Sequence, residues 1–209
     1  MKNLIRSSLF VCALACVFTA ATGAFAQNLV LNGGFDSGGT DWSFSGGGVY
    51  YYTDNGDTIA SMGWWTGVNI YQNTGATIQP NTDYLFGVEA RVGQANIDSV
   101  VLSLQDVSTG WTQLASQTFN FPDPTHGENT GYPQWYDFSF TIPAATLSAQ
   151  VGDTLAVSVG EVTDSTYGWL HINSVSLEAV PEPTSVSLVL AALGAGYLVL
   201  MRRRGGNRL

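Results

Sequence analysis

Residues 84–92 decide the fold class, and they read Tyr84-Leu85-Phe86-Gly87-Val88-Glu89-Ala90-Arg91-Val92. The apolar members occupy every second position and are Tyr84, Phe86, Val88, Ala90 and Val92. The residues between them include Glu89 and Arg91 and point the other way. A period of two is that of a β-strand with one face in the core, so this stretch predicts a half-buried strand.

Nine further runs on both sides of this strand are rich in β-branched and aromatic residues and are bounded by turn residues. They cover residues 28–31, 49–52, 58–60, 68–72, 100–104, 112–119, 135–142, 155–159 and 169–177. Asn55-Gly56 between two of them predicts a two-residue hairpin. The number and spacing of these runs predict an all-β fold, an antiparallel β-sandwich.

The N-terminal residues 1–26 have the pattern of a signal peptide. Lys2 and Arg6 precede an apolar run at 9–21, and Ala24-Phe25-Ala26 provides a small-x-small site for signal peptidase. The alternative is an uncleaved anchor, but the run is shorter than the ~20 residues of a spanning helix. We expect an exported protein that begins at Gln27.

The C-terminal residues 180–209 combine three features in a fixed order. Residues 184–201 carry no charge, and at ~1.5 Å per residue a helix of this length approaches the thickness of a bilayer core. The residues that flank this predicted transmembrane helix are Pro181, Glu182 and Pro183 before it and Arg202, Arg203 and Arg204 after it. The arginines are expected to stay cytoplasmic, which places the preceding domain outside the cytoplasm.

This order of Pro-Glu-Pro, apolar helix and arginine cluster resembles the PEP-CTERM sorting signal. The resemblance implies a Gram-negative bacterium that makes extracellular polysaccharide, with an exosortase that processes the tail. The implied location is the cell envelope, with the domain anchored by the helix or released after processing. The alternative is an ordinary C-terminal anchor without processing.

The domain between the two ends, residues 27–179, is strongly acidic. It contains fifteen acidic residues and one basic residue, Arg91, which gives a formal charge of −14. Such a surface repels nucleic acid and anionic lipid headgroups, so neither is expected as a partner. It fits neutral glycans or divalent cations, or it serves solubility alone. Both cysteines, Cys12 and Cys16, precede the domain, so no disulfide is expected within it.

Four segments of the domain resemble galactose-binding-like jelly rolls, the fold of many carbohydrate-binding modules. They are Asn28-Leu29-Val30-Leu31-Asn32-Gly33-Gly34-Phe35-Asp36, Asn81-Thr82-Asp83-Tyr84, Trp135-Tyr136-Asp137-Phe138-Ser139-Phe140-Thr141 and His171-Ile172-Asn173-Ser174-Val175-Ser176-Leu177. The resemblance implies a structural calcium ion, bound through Asp36 and the position of Asn173. Many members of the family have an aspartate at the latter position, and an amide is a weaker calcium ligand.

The chain lacks the sequence patterns of common enzymes. It has no G-x-S-x-G elbow, no H-E-x-x-H and no phosphate-binding glycine loop, and we therefore expect no enzyme. A pair of carboxylates, as in glycosidases, stays open as an alternative.

Aromatic residues give the functional hypothesis, because flat rings stack on the apolar faces of sugars. The candidates are Tyr50, Tyr51, Tyr52, Trp64, Trp65, Trp111, Tyr132 and Trp135. We favour Trp64 and Trp65 as an exposed platform, with Tyr51 and Arg91 as further ligand-binding residues. For Arg91, an ion pair with Glu89 or a cross-strand acid is the alternative. The expected function is non-catalytic binding of carbohydrate or polysaccharide matrix; the alternatives are a structural or adhesive protein without a small ligand and a glycan-active enzyme.

Overall fold

The alternating segment 84–92 lies in the middle of a strand that runs from Thr82 to Gln94 in the computed structural model of the chain. Tyr84, Phe86 and Ala90 are fully buried, as the alternation predicts. The buried hydroxyl of Tyr84 accepts a hydrogen bond from the backbone N–H of Gln79 at 2.9 Å, which allows this polar group to lie in the core. The structure describes residues 27–63, 67–94, 97–122, 134–163 and 168–181.

Ten strands and a short 3₁₀ helix at Ala144–Gln150 lie within these ranges. The strands are β1 Ser43–Ser45, β2 Gly48–Asp54, β3 Asp57–Gly63, β4 Asn69–Thr77, β5 Thr82–Gln94, β6 Ile97–Asp106, β7 Thr112–Asn120, β8 Tyr136–Ile142, β9 Thr154–Thr163 and β10 Trp169–Pro181.

The strands form two five-stranded sheets with antiparallel pairings. We call β1-β4-β9-β6-β7 the front sheet and β2-β3-β10-β5-β8 the back sheet. Ile70 and Val157 of the front sheet join Phe86 and Leu170 of the back sheet in one buried hydrophobic cluster. The predicted all-β antiparallel sandwich is thereby confirmed.

The hairpin predicted at Asn55-Gly56 is also confirmed. Asp54 of β2 pairs with Asp57 of β3, and the two residues between them have φ angles of 53° and 103°. Two positive φ angles in a two-residue loop are those of a type I′ turn, which favours Asn followed by Gly.

One strand prediction is wrong. Residues 28–31 form no strand. The segment meets the back sheet through an isolated bridge between Asn28 and Glu178, and the side chain of Asn28 accepts a hydrogen bond from the backbone N–H of Leu177 at 3.0 Å. The physical reason is the turn that follows, in which the side chain of Asn32 donates to the carbonyl oxygens of Gly38 and Thr40, both at 2.9 Å. This turn needs positive φ angles at Asn32 and at Phe35, so the chain cannot continue as an extended strand.

The same turn provides a core contact at this end of the sandwich. Phe35 is fully buried and packs against Trp42 with ring centroids 5.4 Å apart. The indole N–H of Trp42 donates to the carbonyl oxygen of Asn32 at 3.1 Å. The opening motif therefore anchors the start of the domain through packing and hydrogen bonds rather than through strand pairing.

Several predicted features lie outside the described residues. These are the signal peptide at 1–26, the tandem Trp64 and Trp65, and the sorting tail beyond Pro181 with its helix at 184–201. In the ranges that the structure does describe, no helix has the length and apolar character needed to cross a membrane.

Candidate functional site

A groove of about 620 Å³ lies on the outer face of the front sheet. Its lining residues are Ser45, Asn69, Tyr71, Val101, Ser103, Gln105, Trp111, Gln113, Ser158, Gly160 and Glu161. They come from all five strands of the sheet and from the β6–β7 turn, so the groove extends across the sheet.

The strand register of the front sheet explains why small side chains line the middle of the groove. Ser158 of β9 pairs with Tyr71 on one side and with Ser103 on the other. In the next row, Gly160 pairs with Asn69 and with Val101. Residues that face each other across antiparallel strands share one face of a sheet, so small side chains form the floor at β9. Larger side chains rise beside it, namely Tyr71 and Asn69 of β4 and Val101 of β6.

The glycine in this floor leaves room for an amide. A Cβ atom at residue 160 would collide with the side-chain oxygen of Asn69. The nitrogen of the same amide donates to the carbonyl oxygen of Gly67 at 2.9 Å, which fixes its orientation. Gly160 is therefore required for space, and Asn69 presents its polar group across the floor.

Two aromatic rings stand over this floor. Tyr71 and Trp111 meet edge to face, with centroids 5.2 Å apart and ring planes at 80°. Trp111 is 39% exposed, which is a large accessible area for a tryptophan. The pair presents flat apolar surface beside the hydroxyl and amide groups of the floor.

A tight turn after β6 holds Trp111 in place. The carboxylate of Asp106 accepts from the backbone N–H of Ser108 and from the hydroxyl of Thr109, both at 2.7 Å. The Thr109 hydroxyl is the main cause that lowers the pKa of Asp106 below its ordinary value. Trp111 itself has a φ of 66°, a conformation that a bulky residue adopts only when its surroundings impose it.

Glu161 borders one end of the groove and is buried, with 5% of its surface exposed. Its cross-strand partner is Val100, a core residue, so its side chain lies on the core side of the sheet. Neither carboxyl oxygen has a hydrogen-bond partner among the described residues. Burial raises the pKa of Glu161 to about 8, so the group is largely protonated at neutral pH.

Arg91 lies on the outer face of the back sheet and is 3% exposed. Its Nη2 donates to Asp54 at 2.7 Å, and its Nε donates to Nδ1 of His171 at 3.3 Å. The indole of Trp135 stacks on the guanidinium, whose carbon lies 4.5 Å from the ring centroid. The acid that pairs with Arg91 is therefore Asp54. Glu89, the other predicted partner, instead accepts from the amide of Asn173 at 2.6 Å.

His171 at the centre of this cluster is buried and neutral. Burial is the main cause that lowers its pKa to about 4, and the charge of Arg91 lowers it further. The hydroxyl of Tyr52 lies 3.3 Å from its ring nitrogens.

Tyr51 and Arg91, the predicted ligand-binding residues that the structure describes, do not line the groove. Tyr51 is partly buried on the core side, where it packs against Phe35 with centroids 5.8 Å apart, and burial raises its pKa. Trp64 and Trp65 lie outside the described residues. Of the aromatic candidates that lie within the described residues, Trp111 is the one that lines the groove. Sequence reasoning did not identify Tyr71 or Asn69 as site residues, although both occupy alternate positions of the predicted strand at 68–72.

The implied calcium site stays a prediction. Asp36 is exposed in the first turn, and the amide nitrogen of Asn173 is engaged by Glu89. Within the described ranges, no three His, Cys, Asp or Glu residues lie close enough together to hold a metal ion.

No protein-family model matches the chain, and no curated protein matches it. Solved structures do resemble it. A cyclase from Fischerella sp. TAU is 16% identical with a TM-score of 0.58, and the match covers 76% of this chain and all of the cyclase chain. A family 16 carbohydrate-binding module is 17% identical with a TM-score of 0.50, over 72% of this chain and 99% of the module.

A third similar structure is the enzymatically active domain of tailspike protein 4 from bacteriophage CBA120. It is 15% identical with a TM-score of 0.51, and the match covers 73% of this chain but only 21% of the tailspike chain. Identities this low show a shared fold alone. The domain thus has the jelly-roll fold of carbohydrate-binding modules, a fold that also occurs in enzymes.

Proposed function

We propose that the domain is a non-catalytic module that binds a neutral polysaccharide chain in the groove of the front sheet. The observation that carries this proposal is the pair formed by half-buried Tyr71 and exposed Trp111 above a polar floor of small residues. The carbohydrate-binding module among the similar structures supports it through the shared fold.

The groove offers the two kinds of contact that a sugar chain needs. The rings of Tyr71 and Trp111 stack on the apolar C–H faces of sugar rings. The amides of Gln105 and Gln113, which pair across β6 and β7, and that of Asn69 donate to and accept from sugar hydroxyls. These groups are uncharged, which suits a ligand that is itself uncharged.

Charge favours a neutral ligand over an acidic one. The described lining residues include no lysine or arginine, and the domain carries a formal charge of −14. Arg91 is its one basic residue, and it is paired with Asp54 on the back sheet. A polysaccharide of uronic acids would meet net repulsion without a compensating cation.

The extent of the groove suits an internal segment of a chain. Its lining residues span five strands, and neighbouring strands are ~4.8 Å apart, so it crosses about 19 Å of sheet. A groove of this length accommodates several consecutive sugar rings.

The described residues that line the groove do not provide the pair of carboxyl groups that a glycosidase needs, which supports a non-catalytic role. Glycoside hydrolysis requires two carboxyl groups that flank the scissile bond. Among the described lining residues, Glu161 is the one acid, and its side chain lies on the core side of the sheet.

The motifs at the two ends of the sequence support a proposal on where in the cell the domain acts. We propose export through the signal peptide at 1–26 and sorting through Pro181, Glu182 and Pro183, with exosortase as the processing enzyme. The domain would then act in the polysaccharide-rich envelope of a Gram-negative bacterium, anchored by the apolar segment 184–201 or released from it.

Affinity electrophoresis in gels that contain one polysaccharide each tests the proposed ligand. We expect neutral glucans, galactans or xylans to retard the protein, and alginate and polygalacturonate not to. Trp111→Ala should lower the affinity measured from the retardation about 5- to 30-fold. Phe44→Ala, which removes an exposed aromatic ring of β1 outside the groove lining, should leave the affinity unchanged. If no neutral polysaccharide retards the protein, the proposal is wrong.

A further inference from the structure

The outer face of the back sheet carries a second set of accessible aromatic rings. Tyr50 is 49% exposed and Tyr52 is 39% exposed, and both lie on the same face of β2. The ring of Trp169 lies beside Tyr50, with centroids 5.8 Å apart. This face is opposite to the groove, because the core lies between the two sheets.

Small residues beneath the rings form the surface on which they lie. A Cβ atom at Gly63 would lie 2.8 Å from the indole of Trp169, and one at Gly93 would collide with the ring of His171. Ser61, which pairs with both Tyr50 and His171, continues this low strip between them. The rings of the back sheet therefore rest close to its surface, with about half of Tyr50 and 39% of Tyr52 exposed.

A charged pair lies next to these rings. Asp54, with 17% of its side chain exposed, is held by Arg91, and Trp135 covers the guanidinium from one side. Arg91 uses Nε and Nη2 for its hydrogen bonds to described residues, which leaves Nη1 without a described acceptor. The pair thus combines a carboxylate acceptor with a fixed guanidinium donor.

We propose that this face, defined by Tyr50, Tyr52, Asp54, Arg91 and Trp169, is a second sugar-binding site, so that one domain binds two glycan chains. Its occupant is a sugar residue with two adjacent hydroxyl groups. One hydroxyl donates to Asp54, the other accepts from Arg91, and the apolar face of the sugar stacks on a tyrosine. This site goes beyond the groove and does not depend on it.

Two sites on opposite faces give the domain a cross-linking role. The two sheets of a sandwich are ~10 Å apart, so ligands on the two outer faces cannot share contacts. A chain held in the groove and a chain held on the back sheet would be joined through the protein, which is the property expected of a matrix component.

The test is a nuclear magnetic resonance titration of the full chain, in a detergent without a sugar headgroup, with glucose, galactose and mannose. We expect at least one sugar to shift both the indole N–H signal of Trp111 and the signals of Trp169 and of the Arg91 Nε–H. If no sugar shifts the back-sheet signals, the second site does not exist, whatever happens at Trp111.

Two variants separate the sites. Tyr52→Ala should weaken the response of the back sheet about 3- to 10-fold, the loss expected from one aromatic contact, and leave that of Trp111 unchanged. Trp111→Ala should weaken binding at the groove about 5- to 30-fold and leave the back-sheet response intact. A back-sheet response that disappears in Trp111→Ala, or that persists unweakened in Tyr52→Ala, overturns the proposal. A response of the back-sheet signals without a response of Trp111 would contradict binding in the groove and support the second site.

Discussion

Trp111 contacts Tyr71 edge to face at 5.2 Å, although the two residues lie forty positions apart in the sequence and on elements at different positions of the front sheet. Tyr71 belongs to β4, and Trp111 closes the turn between β6 and β7. β9 runs between β4 and β6 and contributes only small residues at this level, so the two rings reach each other above it. The contact between the two rings therefore depends on the small residues of β9 as much as on the rings themselves.

A double-mutant cycle tests whether the two rings bind a ligand as one unit. Tyr71→Ala and Trp111→Ala should each weaken glycan affinity by about 1–2 kcal/mol, and the double variant should lose clearly less than the sum. The reason is that each ring orients the other, so either loss disturbs both. Titration calorimetry with a retarding neutral oligosaccharide measures the cycle. Strictly additive losses would show that the rings act independently.

Gly160→Ala tests the floor of the groove. The added Cβ collides with the amide of Asn69, so we expect Asn69 to be displaced and glycan affinity to fall about tenfold or more. Gly34→Ala is a matched control, because a Cβ there lies 3.9 Å from the nearest side chain. Affinity and thermal midpoint are measured together for both variants. Full affinity in Gly160→Ala would show that Asn69 has no part in binding.

The strands were predictable where alternation is local. Residues 84–92 place an apolar side chain at every second position, and Asn55-Gly56 meets the positive φ angles of its turn. β1 escaped prediction because it is short and polar, with exposed Ser43 and Ser45, and exists only by pairing with β4. Residues 28–31 have the composition of a strand, but the turn that follows is set by hydrogen bonds from Asn32 to the carbonyl oxygens of Gly38 and Thr40, which the composition of 28–31 does not indicate.

The groove could not be predicted in the same way. Tyr71 lies between Ile70 and Gln72, and both neighbours are buried. The amide of Gln72 can be buried because it bonds both the backbone N–H and the carbonyl oxygen of Leu31. The local sequence pattern does not predict which residues of β6 and β9 lie beside Tyr71, because the order of strands in the sheet determines these neighbours. The same limit applies to Arg91 and Asp54, which pair across the width of two intervening strands.

Asp106→Ala tests the turn that positions Trp111. The substitution removes the acceptor for Ser108 and Thr109, so the strained backbone at Trp111 should relax and the ring should leave Tyr71. We expect weaker glycan binding and a shift of the Trp111 indole N–H signal in the nuclear magnetic resonance spectrum. Asp57→Ala, which removes an exposed carboxylate at the far hairpin, is the control. Unchanged affinity in Asp106→Ala would mean that the turn holds without its carboxylate.

His171 should make the domain less stable in acid. Its folded pKa of about 4 is below the ordinary value of 6.5, so between these values the unfolded chain binds a proton that the folded chain does not. Stability should therefore fall as the pH decreases from 6.5 to 4. Urea unfolding across this range should show a shallower fall in His171→Gln than in the parent protein. Parallel curves for the two proteins would exclude His171 as the cause.

Glu161 should have the opposite effect at higher pH. Its folded pKa of about 8 is above the ordinary 4.5, so between these values the folded chain retains a proton that the unfolded chain releases. This contribution is complete below pH 4.5 and is lost as the pH rises to 8. Below pH 6.5 the effect of His171 opposes it, so the window from 6.5 to 8 isolates Glu161. There, the thermal midpoint of the parent protein should decrease with pH, while that of Glu161→Gln, which cannot ionise, should stay flat. An equal decrease in both proteins would show that Glu161 is already ionised at neutral pH, and the carboxyl would then need a partner that compensates its charge.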